Sequence, residues 1–204
     1  MLGRFLALRN ISQVKGRGMQ RLQEQYMSRR QFVTGAIMAA TGLLLCSPLP
    51  AWAASKSGKR SLTLYNTHTQ DQLKVIYARD NAYDAAALSK VNHFLRDHRT
   101  DAVHPIDPKL LDILYAVQRA YGGSGVFEVI SGYRSPQSNA KLQRKSWGVA
   151  KRSLHMVGKA IDVRRTGMKT RTLREIALEL QRGGVGYYAK SDFVHLDTGR
   201  YRTW

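Results

Sequence analysis

The sequence predicts an α+β domain, a central antiparallel sheet flanked by helices. Three observations carry that reading. Short runs of alternating apolar and polar residues, the mark of half-buried strands, stand near residue 60 and again between residues 126 and 197. Between them lie segments whose apolar residues recur at helical spacing. No stretch of the chain repeats another, which leaves one packed domain rather than an array.

Taken in order, residues 61–65 (SLTLY) and 72–77 (QLKVIY) alternate around a polar, turn-like N-T-H-T-Q-D, so the pair reads as a β-hairpin. His68 reads as a polar residue of that turn. Asp84 caps a helix in which Leu88, Val91 and Leu95 recur to about His98, with His93 and Asp97 as an exposed pair four residues apart. Asp107-Pro108 supplies cap and first-turn proline for the next helix. Its apolar face is Leu110, Ile113, Leu114, Val117 and Tyr121, and Gly122-Gly123 stops it. His98 and His104, in the link between these helices, read as structural or exposed.

Residues 126–130 (VFEVI) form a buried strand, Ser135-Pro136 opens a helix to about Lys145, and 146–153 is a basic loop. In the strand 159–164 (KAIDVR), Ala160 and Asp162 share one face, Ile161 and Val163 the other. The helix 172–182 turns Leu173, Ile176, Ala177 and Leu180 inward and ends at Gly183-Gly184. Strands 185–188 and 193–197 complete the sheet.

Residues 1–53 do not share this patterning. Arg29-Arg30 precedes an apolar run, 32–46, too short at about 1.5 Å per residue to span a bilayer that takes roughly 20 residues. Pro48, Pro50 and the small-x-small Ala51-Trp52-Ala53 follow. The segment reads as an export signal of twin-arginine type with a cut after Ala53, a general secretory route using similar parts. The basic stretch before Met27 points to a start at Met19 or Met27, or to a long basic n-region. Residues 54–60 form a flexible lead and 61–204 one domain.

The chain carries 33 Lys/Arg and 14 Asp/Glu; seven and one of these lie in residues 1–53, which leaves a net +13 beyond the cut. Such a domain attracts polyanions. For an exported protein the anionic cell wall is the better partner than nucleic acid. The single cysteine, Cys46, lies in the signal. The domain therefore has no disulfide framework and no thiol nucleophile. No G-x-S-x-G element marks a serine nucleophile.

The remaining chemistry is concentrated in two stretches. His155 stands just before the strand that carries Asp162, and Gly158 between them permits a turn that folds the imidazole back over the strand. Phe193, His195 and Asp197 share one strand face. Two imidazoles and a carboxylate suit a catalytic zinc, which takes three protein ligands and keeps a fourth position open. By spacing alone this arrangement also arises by chance.

The motifs are more specific. Ser153-Leu-His155-Met-Val-Gly158-Lys-Ala160-Ile-Asp162 resembles the S-x-H-x-x-G-x-A-x-D signature of the zinc D-Ala-D-Ala peptidases, and Asp192-Phe-Val-His195 resembles their D/E-x-x-H motif. Ser131-Gly-Tyr-Arg134-Ser-Pro-Gln137 resembles the substrate-side motif of the same superfamily, which includes lysostaphin-type endopeptidases and the hedgehog domain. The front hairpin and the ending from Phe193 to Trp204 further resemble an exported bacterial subgroup of murein endopeptidases.

The resemblance implies a hedgehog/D,D-peptidase-like fold and one Zn2+ per chain on His155, Asp162 and His195. It implies Asp192 as general base and Arg134 as oxyanion or carboxylate partner. Gln137 and Tyr188 would meet substrate, and Ser153 and Asp197 would support the ligands. A capping role for Asp197 remains as an alternative. Asp192 is shorter than the Glu of many relatives, and a regular strand sends it to the face opposite His195, so a turn or bulge must bring it back. The implied function is a monomeric, periplasmic or wall-side peptidoglycan hydrolase, D,D or L,D, endo or carboxy, with no membrane insertion after signal cleavage. The alternative is a non-catalytic zinc-containing wall-binding or signalling module on the same fold.

Overall fold

A computed structural model describes residues 58–145 and 148–204. The export signal read over 1–53, most of the lead, and Trp147 in the basic loop lie outside the described residues. Arg60, read as the end of the lead, opens the first strand. Strands β1 (Arg60–Asn66) and β2 (Gln72–Arg79) pair antiparallel as the expected hairpin, and a short β3 (Ala82–Tyr83), unread in the sequence, adds to the outer edge of β2.

The helix α1 (Ala85–Phe94) starts where Asp84 accepts from the Ala87 N–H at 3.0 Å. It stops four residues before the expected His98, because Asp97 leaves the helix. Asp97 is fully buried and its Oδ2 accepts from the Ser135 N–H at 2.8 Å, so it forms no exposed pair with His93. The helix α2 (Pro108–Tyr121) is capped by Asp107 on Lys109 and ends at Gly122, φ 83°. Then follow β4 (Val126–Ser131), α3 (Pro136–Lys145), β5 (Ala160–Arg165), α4 (Thr170–Leu180), β6 (Gly184–Tyr188), β7 (Phe193–Asp197) and β8 (Arg202–Thr203).

These strands form one sheet in the order β3-β2-β1-β4-β5-β7-β6-β8. Most pairs are antiparallel, as read. Two are parallel, β1 with β4 and β6 with β8. The first needs the long crossover that α1 and α2 supply, since parallel neighbours cannot be joined by a tight turn.

The core explains which face is left for chemistry. Ile161 and Val163 of β5 and Val194 and Leu196 of β7 are buried with Leu110, Leu114 and Val117 of α2 and Leu173 and Ala177 of α4. Each Val, Leu and Ile among them contributes about 1.5–3 kcal/mol by leaving water. Strand alternation then commits Asp162 and His195 to the other face. There the turn Leu154–Val157 lies against β5, joined to Gly132 and Arg134 through His155. Among the described residues no helix is long and apolar enough to cross a membrane.

Candidate metal centre

Two of the three candidate ligands are placed by the sheet alone. Asp162 and His195 are direct partners in the β5–β7 register, and Asp162 Oδ1 lies 2.8 Å from His195 Nδ1. His155 comes from a 3-10 turn over Leu154–Val157. Ser153 enters that turn extended, without a side-chain cap, and Gly158 leaves it at φ 66°. A Cβ at Gly158 would run into the Pro105 carbonyl, so only glycine closes this turn.

The neighbouring loop grips the imidazole from behind. His155 Nδ1 lies 2.7 Å from the Gly132 carbonyl, and the His155 carbonyl accepts from the Arg134 N–H at 3.1 Å. With Nδ1 donating, Nε2 is left facing His195 Nδ1 at 3.2 Å and Asp162 Oδ1 at 3.3 Å. A tetrahedral ion with bonds of about 2.0–2.1 Å keeps its ligand atoms about 3.3–3.4 Å apart. The three atoms already stand near that spacing, and all three residues are buried.

The second nitrogen of His195 is committed too. Nε2 lies 3.1 Å from Asp197 Oδ2. Asp197 is fully buried and also accepts from the N–H groups of Gly184 and Gly199 and from both Nη atoms of Arg202, at 2.6–3.1 Å. Burial alone would raise this carboxyl's pKa; His195, Arg202 and the two backbone donors hold it below the usual range. Burial likewise opposes charge on His195, yet Asp162 and Asp197 raise it. Asp162 is held down, against its burial, by the two imidazoles. The carboxylates that favour positive charge on His195 would likewise favour a bound cation.

Room for this packing comes from β6. Its cleft-face residues run Gly184, Gly186, Tyr188. Gly186 is the register partner of His195, and Tyr188 that of Phe193. A Cβ on Gly186 would lie 2.6 Å from the Trp204 indole, which covers the His195 ring at 5.2 Å between centroids. The Gly183-Gly184 pair, read as a helix stop, serves Asp197 instead; the helix ends on Gln181, φ 50°.

The cluster opens on a cavity of about 680 Å³. Arg134, Arg152 and Arg202 line it with Tyr188, Phe193 and Trp204, and Asp162 is its one carboxylate among the described residues. Among the described residues the Arg134 guanidinium makes only long contacts, 3.3 Å to Ser131 Oγ, 3.5 Å to Asn139 Oδ1 and 3.6 Å to Asp162 Oδ2, and its buried Nε has no partner there. Its donors are therefore underused beside the cluster. Ser153 also lines the cavity, whereas Gln137 is exposed on α3 and does not. Of the two adjacent tyrosines, Tyr188 faces the cavity. Tyr187 packs on the core with Arg174 at 5.5 Å.

Asp192, expected as general base, is not brought to the cluster. It ends the 3-10 turn Ala189–Ser191 at φ 50°, its Oδ1 accepts from Thr170 Oγ1 at 2.9 Å, and Arg164 Nη1 is 3.7 Å away. Three residues before His195, it falls on the α4 side of the sheet, and the left-handed turn does not carry it back. The carboxylate beside His195 is Asp197. Arg202 and Trp204 were missed in the sequence because a two-residue strand has no periodicity to read.

A preformed donor set, each second nitrogen tied down and one side open to a cavity, is the arrangement of a metal-dependent hydrolase rather than of a structural metal site, whose ligands close around the ion. Comparison with known proteins gives the particular family. The chain belongs to the M15-type peptidases described as peptidoglycan L,D-endopeptidase MepK, whose family model matches residues 54–204. Over 177 residues it is 40% identical to the peptidoglycan L,D-endopeptidase MepK of Escherichia coli strain K12, covering 86% of this chain and 96% of that protein. A relative from Haemophilus influenzae is 39% identical over 177 residues, 86% of this chain and 94% of its own. No solved structure matches.

Proposed function

We propose that this chain hydrolyses an L,D amide bond in the peptide part of peptidoglycan, using one zinc ion held by His155, Asp162 and His195. The observation that carries the reading is the convergence of His155 Nε2, Asp162 Oδ1 and His195 Nδ1 at 2.8–3.3 Å. The L,D preference is taken from the names of the relatives. Zinc, when bound, supplies Lewis-acid activation of water and of the scissile carbonyl.

The chain's own groups do the rest. Gly132 and Asp197 hold the two imidazoles in the tautomers that leave one nitrogen free on each. Arg134 presents spare guanidinium donors where charge develops on the carbonyl oxygen, or binds a substrate carboxylate. The cationic cleft suits the carboxylates of murein peptides. The D-x-x-H spacing proposes Asp192 as base, but its contacts to Thr170 and Arg164 support an anchoring role for the turn that precedes β7.

The protein is exported, by the twin-arginine signal of residues 1–53, and acts on the outer side of the cytoplasmic membrane as a monomer, with peptidoglycan and not nucleic acid as partner. The test is digestion of purified sacculi with zinc-loaded protein, reading the released muropeptides. Loss of L,D cross-links that stops on chelation is the expected result. Binding to sacculi with no change in muropeptides would identify a non-catalytic wall-binding module instead.

A further inference from the structure

We infer that Tyr188 donates a hydrogen bond to the substrate carbonyl oxygen as charge builds on it, and that Trp204 is the positioning residue that aims this hydroxyl. The inference rests on the reading of the cleft as an amide hydrolase. Its physical basis is the polar pair that the two residues form in an open cleft. The Trp204 indole Nε1 donates to the Tyr188 hydroxyl at 3.0 Å. An indole N–H is a donor only, so it occupies a lone pair of the phenol oxygen and leaves the phenol proton to another acceptor. Among the described residues no group accepts that proton, and the Tyr188 side chain lines the metal-site cavity.

Both rings are held against rotation. Tyr188 stacks on its register partner Phe193, 4.6 Å between centroids and 18° between planes. Trp204 is paired to β6 through its own N–H to the Val185 carbonyl, 3.3 Å, and its carbonyl from the Tyr187 N–H, 3.1 Å. Its indole lies over Gly186, with the Arg202 guanidinium 4.9 Å from the ring. Neither ring is needed for the core, since Tyr188 is 39% and Trp204 48% exposed. Arg134 and Tyr188 both line this cavity, so the two donors face one region of it. A donor held in advance toward a developing oxyanion does not have to be reoriented during the reaction.

The test compares Tyr188→Phe, Trp204→Phe and the double variant, each zinc-loaded, on soluble cross-linked muropeptides. Tyr188→Phe keeps the stack on Phe193 and is expected to lower kcat about 10²-fold with KM within about threefold. Trp204→Phe keeps a ring over His195 and is expected to lower kcat about tenfold. The double variant should be no slower than Tyr188→Phe, because Trp204 acts through the hydroxyl that variant lacks. Metal affinity of every variant should stay within about twofold of wild type, which separates this role from support of His195. In a Trp52→Phe, Trp147→Phe background, quenching of Trp204 fluorescence by muropeptide in the metal-free protein should be unaltered by Tyr188→Phe.

Unchanged kcat in Tyr188→Phe, or losses that multiply in the double variant, overturn the inference while leaving the hydrolase reading intact. A metal-loaded wild type that cleaves no muropeptide removes the hydrolase reading and this inference with it.

Discussion

Asp162 Oδ1 and His195 Nδ1 stand 2.8 Å apart because the two residues are direct partners on adjacent antiparallel strands. Two of the three candidate ligands are thus set by strand register, the most rigid positioning a sheet offers, since a slip of one residue between the strands would turn one of the two side chains into the core. His155 is different in kind. It is delivered by a short turn whose placement depends on Gly158, on the Gly132 carbonyl and on the Arg134 N–H.

That difference predicts how the ligands fail. His155→Ala should abolish stoichiometric metal binding while the sheet, and the melting temperature of the metal-free protein, stay within a few degrees of wild type. Metal analysis and thermal unfolding on the same preparation check this. Full metal content in the variant would take His155 out of the ligand set.

Asp97 predicts an acid limit on the loop that holds His155. Burial alone would raise its pKa, but hydrogen bonds from Ser135, from Ser138 and from the Arg99 and Ser135 N–H groups lower it from 3.8 to about 2. A carboxyl depressed in the folded state stabilises fully above its unfolded value and loses that contribution as pH falls through its folded one. The window is therefore from about pH 4 down to about pH 2. Asp97→Asn should unfold several degrees below wild type at pH 7, for a charged hydrogen-bond set of roughly 2 kcal/mol. The gap should narrow below pH 4. A gap that stays constant to pH 2 would show that the charge on Asp97 is not what matters.

Much of this site was legible in the chain because strand parity is. Ala160 and Asp162 on one face, Phe193, His195 and Asp197 on another, and a glycine-closed turn behind His155 were each readable from alternation or from one residue's backbone freedom, and each is where the structure puts it. Asp97 was misread as a surface partner of His93 because helical spacing says nothing about where a helix stops. Gly184 was read as a helix stop and Gly186 was not singled out, since their purpose is set by Asp197 and Trp204, residues that reach them only through the fold. Asp192 shows the limit of motif spacing, which fixes distance along the chain and not the face of the sheet.

Gly186→Ala tests the close approach directly. Its Cβ would sit 2.6 Å from the indole, closer than carbon atoms pack, so Trp204 must move off β6. The expected result in a Trp52→Phe, Trp147→Phe background is a red-shifted, more readily quenched Trp204 emission with turnover reduced about tenfold or more. An unchanged emission would place the indole elsewhere in solution.

Asp192 and Asp197 make opposite predictions, and one pair of variants decides between the D-x-x-H spacing and the geometry. Asp197 touches the Nε2 side of His195 and carries four further donors, so Asp197→Asn weakens an acceptor that keeps the imidazole in its metal-binding tautomer. It should lower metal affinity about 10–100-fold, with turnover recovering at high zinc. Asp192 is 62% exposed and bound to Thr170, so Asp192→Asn should keep zinc affinity and cost less than about threefold in kcat, against the 10²–10⁴-fold loss expected when a general base is removed. Bound zinc and muropeptide release, measured on both variants side by side, supply the answer. A zinc-replete, inactive Asp192→Asn would mean that substrate draws the 189–192 turn across the edge of β7, and would restore to Asp192 the role its position in the motif assigns.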